Sequence, residues 1–356
     1  MNSNNSLIKR NIGNFRSNSS RTWLRGVAGK TQVAELGTES KNTILMNAVE
    51  GLFSNPFIFK MASKAARGKI VKRGDALGLD FAGEIRSLQD AVNWDEAIEN
   101  ARNPQVHTPE YYKVPFHAYE NGNLSIEAAL EVTVAAKSVH STVYSDTELD
   151  PNGDSRLRST YSHCMKQLLD KQGARPIRDI LDIGAATGLS SVALLEAFPD
   201  ATVTGIDLSP HFIAAGRVLQ SHHIESGKLR LIHGLAEQTT FLDESFDMVS
   251  MCLVCHELPQ QPTIDIFKEA FRLLRPGGAL CVMEMNPVTP AFQRVMNNPI
   301  PYTIFKSTEP YLLDYVGLDM PAAMAIAGFA TAVNRWRILQ STRLWWPSNL
   351  NRLYII

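Results

Sequence analysis

Apolar positions fall into two textures along this chain. Over residues 42–171 they recur at three- and four-residue spacings, clearest at 63–71 and 125–143, and such spacing lines one face of a helix. Ser125 stands where an N-cap belongs, with Ala128 and Ala129 inside and Asn121-Gly122-Asn123 turning the chain ahead of it. Pro151-Asn152-Gly153-Asp154 reads as a loop, and 156–169 as a short helix behind it. From residue 175 short apolar runs alternate with helical stretches. Strands are expected at 179–183, 202–206, 229–232, 246–253 and 279–285, with helices at 189–198, 210–219 and 263–274. That alternation predicts an α/β fold, a doubly wound, mostly parallel sheet with helices on both faces. Right-handed crossovers then bring the strand C-termini to one edge, where ligands bind. Three regions follow: a disordered tail (1–40), an N-terminal helical cap (41–171) and the α/β domain (172–356).

With 356 residues, 44% of them hydrophobic, the chain can build one full α/β domain and a smaller accessory region. Its net charge is -1 but unevenly spread. Lys9, Arg10, Arg16, Arg21, Arg25 and Lys30 precede the first acid, Glu35, so the rest of the chain is acidic. An acidic body argues against a groove that tracks phosphates, so nucleic acid is not an expected partner. The opening is also rich in Asn and Ser, the composition of an organellar transit peptide for chloroplast or mitochondrion; without one the chain would be cytoplasmic. No run approaches the roughly 20 apolar residues of a membrane span, the segment 320–333 included. Of four cysteines only Cys252 and Cys255 form a CxxC, inside an apolar run with no second pair. Buried free thiols are expected there, and no metal site.

The chemistry gathers at Asp182-Ile183-Gly184-Ala185-Ala186-Thr187-Gly188, between a strand and a helix. Gly184 and Gly188 let the backbone bend tightly and approach a ligand. Asp207 ends the next strand, where a carboxylate can accept hydrogen bonds from both hydroxyls of a ribose. A dinucleotide fingerprint would need glycine at Ala186 and Leu189, and no Walker sequence is present, so a nicotinamide dehydrogenase is a poor reading. An adenosyl sulfonium carries no phosphate and suits this bend better.

These residues resemble a known family. DIGAATG followed by GIDLSP is similar to the first two motifs of class I (Rossmann-like) S-adenosylmethionine-dependent methyltransferases. His233-Gly234-Leu235-Ala236-Glu237, Phe246-Asp247-Met248-Val249-Ser250 and Leu274-Arg275-Pro276-Gly277-Gly278 resemble its later motifs, in order, over 178–287. The run 115–125 together with Cys255-His256-Glu257-Leu258-Pro259 is similar to a set of plant and algal methyltransferase-like proteins, which implies little about substrate. The resemblance implies S-adenosylmethionine as cofactor. Gly184, Ala185, Thr187 and Gly188 would shape its turn, Asp182 would orient that turn and Asp207 would hold the ribose. Leu208, Leu235 and Ala236 would flank adenine, with Cys252 lining the site at the end of the fourth strand. Many members carry an acid where this chain has Leu235, so a backbone carbonyl is left to meet the adenine amino group. The family ends in a β-hairpin after a helix like 320–327. Here 330–333 is the expected sixth strand and 352–356 a seventh, but 336–356, with Trp345-Trp346-Pro347 and no acids, departs from that pattern.

Methyl transfer from a sulfonium is an in-line displacement in which the protein aligns the acceptor and excludes water. An acceptor of high pKa also needs a base. His256, after the fourth strand, is the candidate base, with Glu257 beside it to meet a polar or cationic acceptor. Either can instead simply order the loop. His117, Tyr119 and Glu120 form a polar-aromatic cluster in the cap, with Tyr119 placed to face the sulfonium and His117 and Glu120 to face the acceptor. His140 reads as a core histidine, and Trp345 and Trp346 either line the acceptor pocket or anchor the tail. The fourth strand ends without an Asn/Asp-Pro-Pro-Tyr turn and no double-glutamate loop is found, which favours a small-molecule acceptor. The competing class is an inactive methyltransferase-like assembly or interaction factor in an organelle.

Overall fold

Phe246–Cys252 is buried at every position, although it includes Asp247 and Ser250. A strand with both faces covered belongs at the centre of a parallel sheet. Its two polar side chains are satisfied inside: Asp247 accepts from the backbone N–H groups of Arg178 and Asp179 at 2.9 and 3.0 Å, and Ser250 bonds the Tyr161 hydroxyl at 3.1 Å. The computed structural model describes residues 56–117, 119–145, 147–329, 334–336 and 350–355. The described residues all lie within one compact unit, residues 46–356.

The sheet contains β1 (Asp179–Ile183), β2 (Thr202–Asp207), β3 (Leu229–His233), β4 (Phe246–Cys252), β5 (Leu274–Met285), β6 (Asn334–Trp336) and β7 (Leu350–Ile355), in the order β3-β2-β1-β4-β5-β7-β6. β1 through β5 are parallel, while β7 runs antiparallel to β5 and β6 antiparallel to β7. This is the doubly wound, Rossmann-like sheet expected. The chain leaves β1 toward β2 and β3, then returns to β4 on the other side. The β1/β4 boundary is therefore the switch point, and sheets of this kind take their ligands beyond the C-terminal ends of the strands at such a point.

The expected elements of the sheet differ from the observed ones only at their ends. The C-terminus differs more. β6 and β7 pair antiparallel and extend the sheet beyond β5, so the described residues 350–355 continue it despite the atypical sequence around them. Residues 330–333, Trp345, Trp346 and the tail 1–40 lie outside the described residues.

The helices before the sheet are α1 (Pro56–Ala76), α2 (Phe81–Gln89), α3 (Trp94–Ala101), α4 (Ile126–His140) and α5 (Gly153–Gln172). Ser125 caps α4 as expected, its Oγ accepting from Ala128 N–H at 3.2 Å. Around the sheet lie α6 (Leu189–Ala197), α7 (Pro210–Leu219), α8 (Ser221–Glu225) and α9 (Gln260–Leu273). Small residues let α4 approach α7: Ala128 and Ala129 pack on Phe212 and Ala215, with Tyr119 and Ala186 against the same cluster. The cap thus rests directly on the glycine bend. After β5 come α10 (Pro290–Met296), α11 (Pro299–Thr308), α12 (Leu312–Gly317) and α13 (Met320–Ile326). The end of α11 and the turn after it close the cap from the other side, for His117 N–H donates to Thr308 O at 3.0 Å and the Tyr311 hydroxyl to Tyr111 O at 2.8 Å. No helix among the described residues is long and apolar enough to cross a membrane. All four cysteines are free and buried.

Candidate active site

The bend after β1 is pinned to β2. Gly184 and Ala185 both donate their N–H to Ile206 O, at 2.9 and 3.1 Å. Gly184 and Gly188 hold φ of 68° and 88°, the left-handed region, and Ala186 shares it at 46°. An L-residue there is strained by about 1 kcal/mol. What holds Ala186 is Asp207: its Oδ2 accepts the Ala186 N–H at 2.9 Å, while Oδ1 accepts from Ser209 N–H at 2.8 Å. The carboxylate expected to hold a ribose is thus aimed at the bend.

Burial pushes the Asp207 carboxyl up to about 6 against the pull of its two backbone donors, with Glu257 and Asp182 adding to the rise. A ribose hydroxyl donates to the ionised form, so adenosine affinity should be full above that pH and fall as pH drops through about 6. Calorimetry with S-adenosylmethionine between pH 5 and 8 checks this; a flat profile counts against Asp207 as the ribose ligand.

On the side where adenine is expected, His233 ends β3 with its ring fixed in one tautomer. Nε2 must donate to Leu208 O at 3.1 Å, because a carbonyl only accepts, and Nδ1 must accept from Asn103 N–H at 2.9 Å. Burial lowers its pKa and keeps the ring neutral. One side chain so ties the loops after β2 and β3 to the cap. Leu235 and Ala236 are half-buried beside it, and the Tyr111 hydroxyl of the cap donates to Glu237 in the same loop.

Several expected ligand contacts turn inward. Asp182 is fully buried, and its Oδ2 accepts from the hydroxyls of Ser190 and Ser191, both at 2.7 Å. It anchors the start of α6 and acts on the bend from behind. Thr187 spends its hydroxyl on Thr133 of α4 at 2.9 Å, stitching cap to bend. Cys252 Sγ takes an N–H of Arg158 at 3.6 Å, and Arg158 is itself clamped by Asp154 at 3.0 Å through two nitrogens. His140 completes that chain, half-buried, with its Nδ1 at hydrogen-bond distance, 2.6 Å, from Asp154. Tyr119 packs near Ala186 while its hydroxyl donates to Glu131 at 2.7 Å. Glu120 is the clear correction. It is 74% exposed and pairs with Lys60 at 2.5 Å, on the solvent side of the turn.

The remaining expected residues converge beyond β4 and β5, with two partners that sequence reasoning missed. His256 Nδ1 lies 2.8 Å from Glu284 Oε1, and its backbone N–H donates to Glu284 Oε2 at 3.2 Å. Burial alone would lower the His256 pKa; the Glu284 carboxylate outweighs it and lifts the ring to about 9. His117 Nε2 stands 3.4 Å from Glu257 and 3.3 Å from Glu309, which likewise overcome burial and raise it to about 10. Asn123 links the set, donating to Glu257 at 3.1 Å. Both rings are therefore cations at neutral pH, and their ion pairs loosen only as pH rises through about 9 to 10. A protonated His256 is a donor rather than the base expected of it. Glu284 carried a signal in the sequence, a lone acid in the apolar run 279–285; Glu309 carried none, being marked only by the proline after it.

Residues 180–278 match the family model described as a methyltransferase domain. The demethylmenaquinone methyltransferase of Listeria welshimeri is 31% identical over 121 residues, 33% of this chain and 50% of that protein. The enzyme of the same name from Staphylococcus aureus is 31% identical over 132 residues, 36% of this chain and 53% of its own length. The chain thus spans about half the length of the curated relatives it matches. Among solved structures, human N-acetylserotonin methyltransferase in complex with S-adenosylmethionine aligns over 74% of this chain and 64% of its own, at 14% identity and a TM-score of 0.43. The matched stretch runs from β1 to the turn within β5, the part of the sheet that carries the glycine bend and β4.

Proposed function

We propose that this chain is an S-adenosylmethionine-dependent methyltransferase acting on a small-molecule acceptor. The observation that carries the reading is Asp207, whose carboxylate is locked against the glycine bend by the Ala186 N–H. Each of its oxygens gives one lone pair to a backbone donor and keeps acceptor capacity for a ribose hydroxyl. Leu208, Leu235 and Ala236 offer adenine an apolar slot, and a bend without a phosphate cradle fits an adenosyl group that has no phosphate.

When bound, the cofactor would supply an electrophilic methyl group on sulfonium. The chain's own part is to hold that group at the β1/β4 switch point and to keep water out beneath the cap. It also sets an acceptor beside the His117, His256, Glu257 and Glu309 cluster. The name shared by the bacterial relatives, demethylmenaquinone methyltransferase, denotes a small acceptor and supports that class. The acidic balance of the chain beyond its opening residues supports an acceptor other than nucleic acid.

Calorimetry with S-adenosylmethionine, its demethylated product and NAD tests the reading: the first two should bind and NAD should not. Transfer of labelled methyl into a metabolite extract then separates an enzyme from an interaction factor. The basic, hydroxyl-rich opening supports an organellar address. Import of the labelled full chain into isolated chloroplasts and mitochondria should yield a shortened product in one of them, and an uncut, excluded chain would count against it.

A further inference from the structure

In the acceptor cluster one atom is left over. Both oxygens of Glu284 have partners: Oε1 faces His256 Nδ1 at 2.8 Å and takes the Met285 N–H at 2.7 Å, and Oε2 takes the His256 N–H at 3.2 Å. Glu257 is divided between Asn123 at 3.1 Å and His117 at 3.4 Å. Glu309 is 7% exposed, and its Oε1 faces His117 Nε2 at 3.3 Å. Its Oε2 is buried with no hydrogen-bond partner among the described residues. An orphaned carboxylate oxygen in a closed setting is costly unless something donates to it.

The candidate donor is not His256. Its Nε2 stands 3.9 Å from Glu309 Oε2, beyond hydrogen-bond reach, and the ring is steered there by Glu284 on Nδ1 and by the edge of Tyr315 at 6.4 Å between centroids. The separation has a simple geometric reading. An atom set off the line between Nε2 and Oε2 can lie about 2.8 Å from both, a hydrogen-bond length to each. That atom must accept from an imidazole N–H and donate to a carboxylate. A hydroxyl oxygen does both. An ammonium cannot accept, a neutral amine that accepts has no lone pair left to attack the methyl group, a thiol accepts and donates only weakly, and a thioether or a carbon acid does neither usefully.

We infer that the acceptor is a hydroxyl compound, a phenol or enol, whose oxygen lies between His256 Nε2 and Glu309 Oε2, with Glu309 as its proton acceptor. The inference rests on the methyltransferase reading above. In the step, the hydroxyl O–H bond breaks and its proton goes to Glu309 Oε2. The oxygen forms a bond to the transferred methyl, and the methyl–sulfur bond breaks with its electron pair left on sulfur. No oxidant or further co-reactant is needed. The imidazolium of His256 donates to the oxygen as negative charge grows on it, a role consistent with its raised pKa.

The probe is 4-nitrophenol, whose phenolate absorbs visibly, titrated with the full-length chain in the presence of the demethylated cofactor. Wild type should bind the neutral phenol, with the apparent pKa of the bound probe above that of the free probe, because Glu309 opposes a second negative charge beside it. Glu309→Gln should lower that bound pKa by about one unit or more, raising the phenolate fraction about tenfold, since only the His256 cation then faces the oxygen. Glu309→Asp, which keeps the charge, should move it back toward wild type. A bound pKa that is the same in wild type and Glu309→Gln overturns the inference, as does failure of the wild-type chain to bind the probe at millimolar concentration. Calorimetry with S-adenosylmethionine on the same proteins reports folding and the parent reading. Donor binding that survives in Glu309→Gln with an unmoved probe overturns this inference alone, whereas absence of donor binding in wild type overturns the reading beneath it.

Discussion

Asp207→Ala should weaken S-adenosylmethionine binding by about 100-fold or more while leaving a folded chain. Two hydroxyls donating to one buried carboxylate are each worth about 1.5–3 kcal/mol, and every 1.4 kcal/mol is tenfold in affinity. Part of the loss is indirect. The Ala186 N–H would be left without its acceptor, and Ala186 holds a φ of 46° only because that bond is made. Asp207→Asn separates the two contributions. It keeps one acceptor oxygen for Ala186 but loses the charge and half of the acceptor capacity, so about a tenfold loss is expected. Calorimetry at pH 8, where the wild-type carboxylate is ionised, reads both variants. An Asp207→Ala chain that binds within threefold of wild type removes the foundation of the proposed function.

Gly184→Ala should be the more damaging change to stability. The position combines a left-handed backbone, at φ 68°, with a blocked direction: an added Cβ would lie 2.5 Å from Val254 Cγ2 and 3.2 Å from Cγ1. The backbone conformation costs an L-residue about 1–2 kcal/mol and the overpacking about 1–3 kcal/mol. Together they predict a loss of about 2–5 kcal/mol and a Tm lower by about 4–10 °C. Val254 cannot simply retreat, because it leads into the 3₁₀ turn Cys255–Glu257 that presents His256 and Glu257. A methyl group added at Gly184 would therefore disturb both halves of the site. Adding Val254→Ala should restore about 1–2 kcal/mol, a coupling that a double-mutant cycle by thermal unfolding measures. Independent, additive effects of the two substitutions would show that the contact does not matter.

Much of the sheet is legible in the sequence alone. β1, β2, β3 and β4 are short, apolar and separated by helices of ordinary period, and such local signals do not depend on what the rest of the chain does. Ser125 as a cap and Asp207 as the acid at the bend were equally visible, since each depends on residues a few positions away or on the next strand in order. The failures share a different cause. Glu120 and His117 are three residues apart, yet one reaches solvent and the other the cluster; only the packing of the turn against α11 decides which way each faces. His256 carries a base's chemistry in isolation, and the carboxylates brought to it by folding, Glu284 first and then Glu309 and Glu257, hold it protonated. Glu309 becomes a buried carboxylate through contacts to residues 117 and 256, far away in sequence and invisible to any window.

The split construction of the cap has a consequence for how the molecule is made. Tyr111 is joined to Tyr311, a separation of 200 residues. At ribosomal speeds of about 5–20 residues per second, the Tyr111 side of this contact waits roughly 10–40 s for Tyr311 to emerge. The glycine bend and β4 precede that moment. Under the proposed function, a methyl donor meeting the nascent chain would find the bend already made while the cap above it is still open, and it would be a ligand of biogenesis before it is a reagent.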